Sequence, residues 1–176
     1  MRKIQLGAGS LHIEGWENHD MDVDITKPLP FSDSSVDFIF SDNMLEHVLP
    51  REAWFYIEEC FRVLVHGGVV RTTIPDFSRI LRLKHPDWLR VNQGVTHNNG
   101  SIRDQMKSVI VGHGHQGLWN SELLASVKEA VGFMPVKIFE AGSSIHPDLV
   151  DVEQHWKSVG RSVAWAEAGC VEGTKP

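Results

Sequence analysis

Two glycines followed by two aspartates are the residues of this chain best suited to hold a nucleoside. Gly7-Ala8-Gly9-Ser10 follows a short apolar run, Ile4 to Leu6, that reads as a buried strand. Glycines there let backbone N–H groups approach a ligand without Cβ clashes. A tight structural turn uses the same residues, so Gly-x-Gly alone decides little. Asp20 stands at the end of a second strand read over 15–21, where a carboxylate can accept both hydroxyl hydrogens of a ribose. Taken alone, it is equally a solvated strand-end acid. Asp24 can accept from an exocyclic amine such as that of adenine, while Ile25 packs on the ring face. Asp20 comes only 11 residues after Gly9, and His12 occupies the third glycine position of a dinucleotide fingerprint. That fingerprint puts its acid about 20 residues on, which argues against a nicotinamide oxidoreductase.

The elements that must position these residues alternate between strand and helix. Val36 to Ser41 reads as a strand. From Pro50, apolar residues at Ala53, Trp54, Ile57, Cys60, Phe61 and Leu64 share one helical face, and Gly67-Gly68 is expected to stop the helix. Val69 to Ile74 reads as a buried strand and residues 76–83 as a short helix. A further helix begins at Asn120-Ser121 and stops at Gly132. Val136 to Glu140 and Arg161 to Glu167 are read as two final strands, forming an antiparallel C-terminal hairpin across the polar connection 143–160. The pattern predicts an α/β fold with a mostly parallel sheet and helices on both faces. Beyond the turn Gly7 to Ser10, only the loop 11–14 separates the first two strands, so the usual crossover helix must be shortened or lost. Ligands of such sheets bind beyond the carboxyl ends of the strands.

The motifs and their order resemble the Rossmann-like, class I S-adenosylmethionine-dependent methyltransferases, in particular a compact predicted bacterial group. The carrying residues are Leu6-Gly7-Ala8-Gly9-Ser10, Gly15-Trp16, Asp20, the run from Asp24 to Phe31, Leu45-Glu46-His47, Arg62-Val63-Leu64, Gly67-Gly68 and Ile74-Pro75-Asp76. Gly132-Phe133 and Ala166-Glu167-Ala168 continue the order, so the resemblance spans about residues 3 to 168. It implies S-adenosylmethionine as cofactor. Gly7, Ala8, Gly9 and Ser10 would line its methionine and ribose part, Asp20 would bind the ribose, and Asp24 and Ile25 the adenine. Ser41 and Asn43 would touch the amino-acid end and face the methyl group. The chain departs from the family at Gln5, where an acid is common, and at Leu11, which replaces a third glycine.

Catalysis then reduces to alignment, plus a base for an oxygen or nitrogen acceptor. His47 is the first candidate, against a histidine merely hydrogen-bonded in a short helix. Asp76 is the second, against an N-cap for the helix that follows. His113-Gly114-His115 invites a metal reading, yet no carboxylate or cysteine lies close in sequence. With 10 histidines in the chain, chance proximity is the better account, and no metal is expected. These histidines are placed instead on a lid over 84–119, where Trp88, His97 and Trp119 serve either as flat contact surfaces or as ordinary packing on the sheet edge.

The whole chain, 1–176, is read as one methyltransferase domain. Its 176 residues, 41% hydrophobic, are enough for a core of their own. Net charge −6 and the absence of an Asn-Pro-Pro-aromatic run after Ile74 disfavour nucleic acid. Arg79, Arg82, Lys84, Arg103 and Lys107 read as a solvated face. No run of about 18 apolar residues exists, so no membrane span is expected. Two reduced cysteines and an N-terminus without room for a signal sequence point to the cytoplasm. The expected partner is a small-molecule or saccharide acceptor, with room for a homodimer. A non-catalytic binding module on the same fold is the alternative.

Overall fold

A computed structural model of the protein describes residues 1–82, 107 and 112–176. Most of the expected lid, including Trp88 and His97, lies outside the described residues.

Among the described residues, six strands form one sheet: β1 (Lys3–Leu6), β2 (Glu17–His19), β3 (Val36–Asp42), β4 (Leu64–Pro75), β5 (Val136–Phe139) and β6 (Ala168–Thr174). Their spatial order is β2-β1-β3-β4-β6-β5. The first four are mutually parallel, while β6 runs antiparallel to both β4 and β5. The mostly parallel α/β sheet with an antiparallel strand near its C-terminal edge is therefore present. So is the shortened first crossover: β1 and β2 pair in parallel, Leu6 opposite His19, with no helix between them.

Helices α1 (Pro50–Val63) and α3 (Ser121–Val131) lie on one face. Pro50 sits at the first turn of α1, and the Glu52 carboxylate accepts the Leu49 N–H at 3.0 Å, closing an N-terminal cap. Ala53, Tyr56, Ile57, Cys60 and Val63 point inward, whereas Trp54 is exposed. At α3 the Asn120 side chain accepts from Leu123 N at 2.8 Å, and Gly132, at φ 117°, ends the helix. Together with Ile4, Leu6, Ile39, Val70, Ile74 and Val171 these helices form the main apolar core.

The opposite face is built differently. Phe40 and Val69 meet Trp16, Leu149 and Val152, so the segment before α4 (Trp156–Val159) and α5 (Arg161–Glu167) covers the ground a first crossover helix would have held. Arg71, fully buried on this face, pairs with Glu153 and Glu172 and donates to the Ser143 carbonyl at 2.9 Å.

Two expectations are corrected. Arg161 to Glu167 is helix, not strand: Val163 and Ala164 are its buried pair, and the closing strand is β6. Gly67-Gly68 does not stop α1, since β4 begins at Leu64. The glycines instead make a bulge between the pairs Val36–Leu64 and Phe38–Val69. A Cβ on Gly68 would lie 2.9 Å from the Val65 carbonyl oxygen.

Candidate functional site

At the carboxyl ends of β1, β3 and β4 lies a cavity of about 300 Å³. Gly7 and Ala8 line one side and Asp42, Asn43, Glu46 and His47 another. Gln154, His155 and Glu167, with Ile80 of α2 (Phe77–Arg82), close it.

The β1 wall is shaped by close approach. Ala8 N donates to the His19 carbonyl at 2.9 Å, tying the loop to the end of β2. Gly7 has φ 70°, and a Cβ there would fall 2.7 Å from the Met44 side chain, so only glycine fits. Gly9 has φ 52°, and a Cβ would meet nothing within 4 Å, so the loop tip borders open space. Gln5 is buried within β1. Its amide donates to the Leu11 carbonyl at 3.0 Å, while Oε1 has no hydrogen-bond partner among the described residues.

The β3 wall carries the charge. Asp42 Oδ2 accepts from Gln154 N at 2.7 Å and His155 N at 2.9 Å, anchoring the C-terminal segment to the sheet end. Its Oδ1 is sealed from solvent without a hydrogen-bond partner among the described residues, and burial pushes the carboxyl up to about 6. Glu46 sits in a single helical turn, Leu45–His47, with both carboxylate oxygens in the same condition. Burial pushes it up to about 8. The His47 imidazole lies below its ordinary pKa, chiefly through burial and secondarily through His113. Its ring meets that of His115 edge-on, centroids 4.9 Å apart.

The structure thus gathers Gly7, Ala8, Asn43 and His47 from the sequence-derived set. Gly9 and Ser10 are exposed at the loop tip, and Asp20 is exposed just past β2. Asp24 and Ile25 do not line the cavity. The Asp24 carboxylate is occupied by Thr26 N at 3.0 Å, Thr26 Oγ1 at 2.6 Å and Lys27 Nζ at 2.9 Å, which hold it down at about 2. Ile25 is part of the main core, and Ser41 is fully buried within β3. Asp76 also stands away from the cavity lining. Its Oδ1 accepts the Arg79 N–H at 3.0 Å, capping α2, and its Oδ2 accepts Ser121 N and Oγ at 2.9 and 2.6 Å. Both of its oxygens are engaged in holding α2 and the start of α3. Asp42, Glu46, Gln154 and His155 were not anticipated. Asp42 had a usable signal, its place at a strand end beside Asn43; Gln154 and His155 had none.

The family described as Methyltransferase domain matches residues 12–72. No curated protein matches the chain. Among solved structures, an S-adenosylmethionine-dependent methyltransferase from Archaeoglobus fulgidus superposes with a TM-score of 0.59 at 14% identity, covering 99% of this chain and 86% of that one. A second such enzyme, from Thermotoga maritima, gives 0.56 at 16% identity, covering 99% and 82%. A Haemonchus contortus phosphoethanolamine N-methyltransferase, solved with phosphomonomethylethanolamine and S-adenosylhomocysteine, gives 0.57 at 14% identity, covering all of this chain and 49% of that one. The fold is that of the class I, Rossmann-like S-adenosylmethionine-dependent methyltransferases. No helix among the described residues is long and apolar enough to cross a membrane.

Proposed function

We propose that this chain is an S-adenosylmethionine-dependent methyltransferase that methylates a hydroxyl of a small molecule or saccharide, with residues 1–176 acting as one unit. The observation that carries this reading is the cavity at the sheet's carboxyl edge, lined by the Gly7-Ala8 loop and by Asn43 and His47. The family match and the cofactors of the structural neighbours support it.

The walls fit that cofactor. Gly7 and Ala8 present little side chain, and the space beside Gly9 is open. Gln5 Oε1 is a sealed acceptor still without a donor among the described residues, which suits a ligand bearing an ammonium group. Bound there, S-adenosylmethionine supplies an already activated methyl group, so the chain's work is alignment. Gly7 and Ala8 hold the methionine end, and Asp20, just beyond β2, takes the ribose hydroxyls. Asn43 and His47 face the acceptor. With its pKa lowered, His47 is neutral at pH 7 and able to receive the hydroxyl proton. Asp42, on the same wall, is the second group able to receive it.

Calorimetry with S-adenosylhomocysteine tests the cofactor half. The wild-type chain binds, and Asp20→Ala binds about tenfold more weakly, ~1.4 kcal/mol, the cost of one charged hydrogen-bond partner. Unchanged affinity removes Asp20 from the site. Turnover to S-adenosylhomocysteine across an acceptor library tests the reaction, and His47→Ala lowers turnover more than cofactor affinity. Cofactor binding with no turnover on any hydroxyl acceptor would return the chain to a non-catalytic module.

A further inference from the structure

Glu46, His47 and His115 each offer one ligand atom, and these atoms lie within 4.8 Å of one another. All three residues line the cavity. Both Glu46 oxygens are sealed from solvent with no hydrogen-bond partner among the described residues, a costly state that a cation relieves. The grouping is held by backbone. Gln116 N and Gly117 N donate to the Glu46 carbonyl at 2.7 and 3.1 Å, and Gln116 Nε2 donates to the His47 carbonyl at 2.6 Å. His115 is thereby fastened beside the turn that carries Glu46 and His47, although it lies 69 positions after Glu46 in sequence.

We infer that Glu46, His47 and His115 form a seat for one divalent first-row transition-metal ion on the acceptor side of the cavity. Two imidazoles and a carboxylate suit zinc, manganese, iron or cobalt rather than calcium or magnesium, which prefer oxygen-only sets. Ligand atoms about 2.0–2.2 Å from one ion lie within roughly 4 Å of each other, so a small rotation of the exposed His47 ring completes the set. Three protein ligands leave positions open to the cavity, where a ligand presenting two adjacent oxygens can chelate. This rests on the reading of that wall as the acceptor side. When the ion is seated, His47 is a ligand and Asp42 is the group left to receive the acceptor's proton. Local spacing pairs His113 with His115 and places no carboxylate near them; the fold instead supplies Glu46 and His47.

The test uses the whole chain stripped with chelator. Titration with Co²⁺ should produce d–d absorption saturating at one equivalent, and Zn²⁺ calorimetry a one-to-one isotherm. Glu46→Gln and His115→Ala should each weaken Zn²⁺ binding by more than about 100-fold, beyond the loss typical of an outer-shell partner. His47→Ala, at an exposed ring, gives the same loss and keeps the test decisive if the buried Glu46→Gln is unstable. Absent d–d bands, or Zn²⁺ affinity unchanged in these variants, overturns the site. S-adenosylhomocysteine binding measured on the same samples separates the two readings. Cofactor binding that survives in metal-deficient variants supports a distinct acceptor-side ion. Metal binding in a wild-type chain that does not bind the cofactor overturns the methyltransferase reading and leaves the ion site standing.

Discussion

The two faces of the sheet are stabilised by different physics. On the α1–α3 face, interdigitated aliphatic and aromatic side chains supply nearly everything, Ile57, Leu124 and Val171 among them. On the other, a small apolar group around Trp16, Phe40 and Leu149 is joined to a buried ion cluster of Arg71, Glu153 and Glu172. Where a crossover helix is missing, the chain seals the sheet with a distant irregular segment, and charge pairing fixes its register. The apolar face degrades gradually when trimmed; the ionic face fails sharply, because a lost partner strands a buried charge.

Arg71→Met is the sharpest way to expose that difference. It leaves Glu153 and Glu172 buried without their cation and should cost about 3–5 kcal/mol in urea unfolding. A loss below that of a single core truncation would show that the cluster is not what holds this face. Next comes Ile57→Ala on the helical face, expected to cost about 3 kcal/mol by the same measurement. Lys128→Met works in the opposite direction. The Lys128 ammonium is fully buried beneath α3, among the Val70 and Val171 carbonyls and Thr72 Oγ1, with burial pushing its pKa down to about 7. Its folded pKa lies below the unfolded value, so the unfolded chain binds the extra proton between about pH 7 and 10.4, and the wild-type chain gains stability as pH rises through that window. Methionine should raise stability at pH 7 by about 1–3 kcal/mol and flatten that slope. The smallest effect belongs to Lys3→Ala, which removes the partly exposed pair with Asp148 at 3.1 Å. It should change stability by less than about 1 kcal/mol.

The same contrast explains what could be read from the sequence. The helical face announces itself: Ala53, Ile57 and Cys60 recur at helical spacing, and Asn120 and Gly132 mark both ends of α3. β6 stayed hidden because Ala168-Gly169-Cys170-Val171-Glu172-Gly173 looks neither apolar nor strand-like. Its glycines answer to crowding: a Cβ on Gly169 would sit 2.5 Å from Ser121 Oγ, and one on Gly173 2.9 Å from Phe133. Glu172 is tolerated inside only because Arg71 faces it. Ser162-Val163-Ala164-Trp165 imitates strand alternation, yet its buried residues are neighbours at 163 and 164, as a helix packed at an angle requires. In the site, residues immediately following strands were legible, as with Gly7, Ala8 and Asn43. Gln154 and His155 reach the cavity through Asp42, a contact across more than 110 residues that no local pattern encodes.

The missing first crossover also bears on the order in which the molecule comes into being. Lys3 and Trp16 are translated early, but Asp148, Leu149 and Val152, which cover them, leave the ribosome only after some 130 further residues. Until then the outer surface of the first strands stays wet, whatever the helical side has achieved. Closure of that surface is a late, long-range event, the kind that slows folding and leaves a nascent chain open to aggregation.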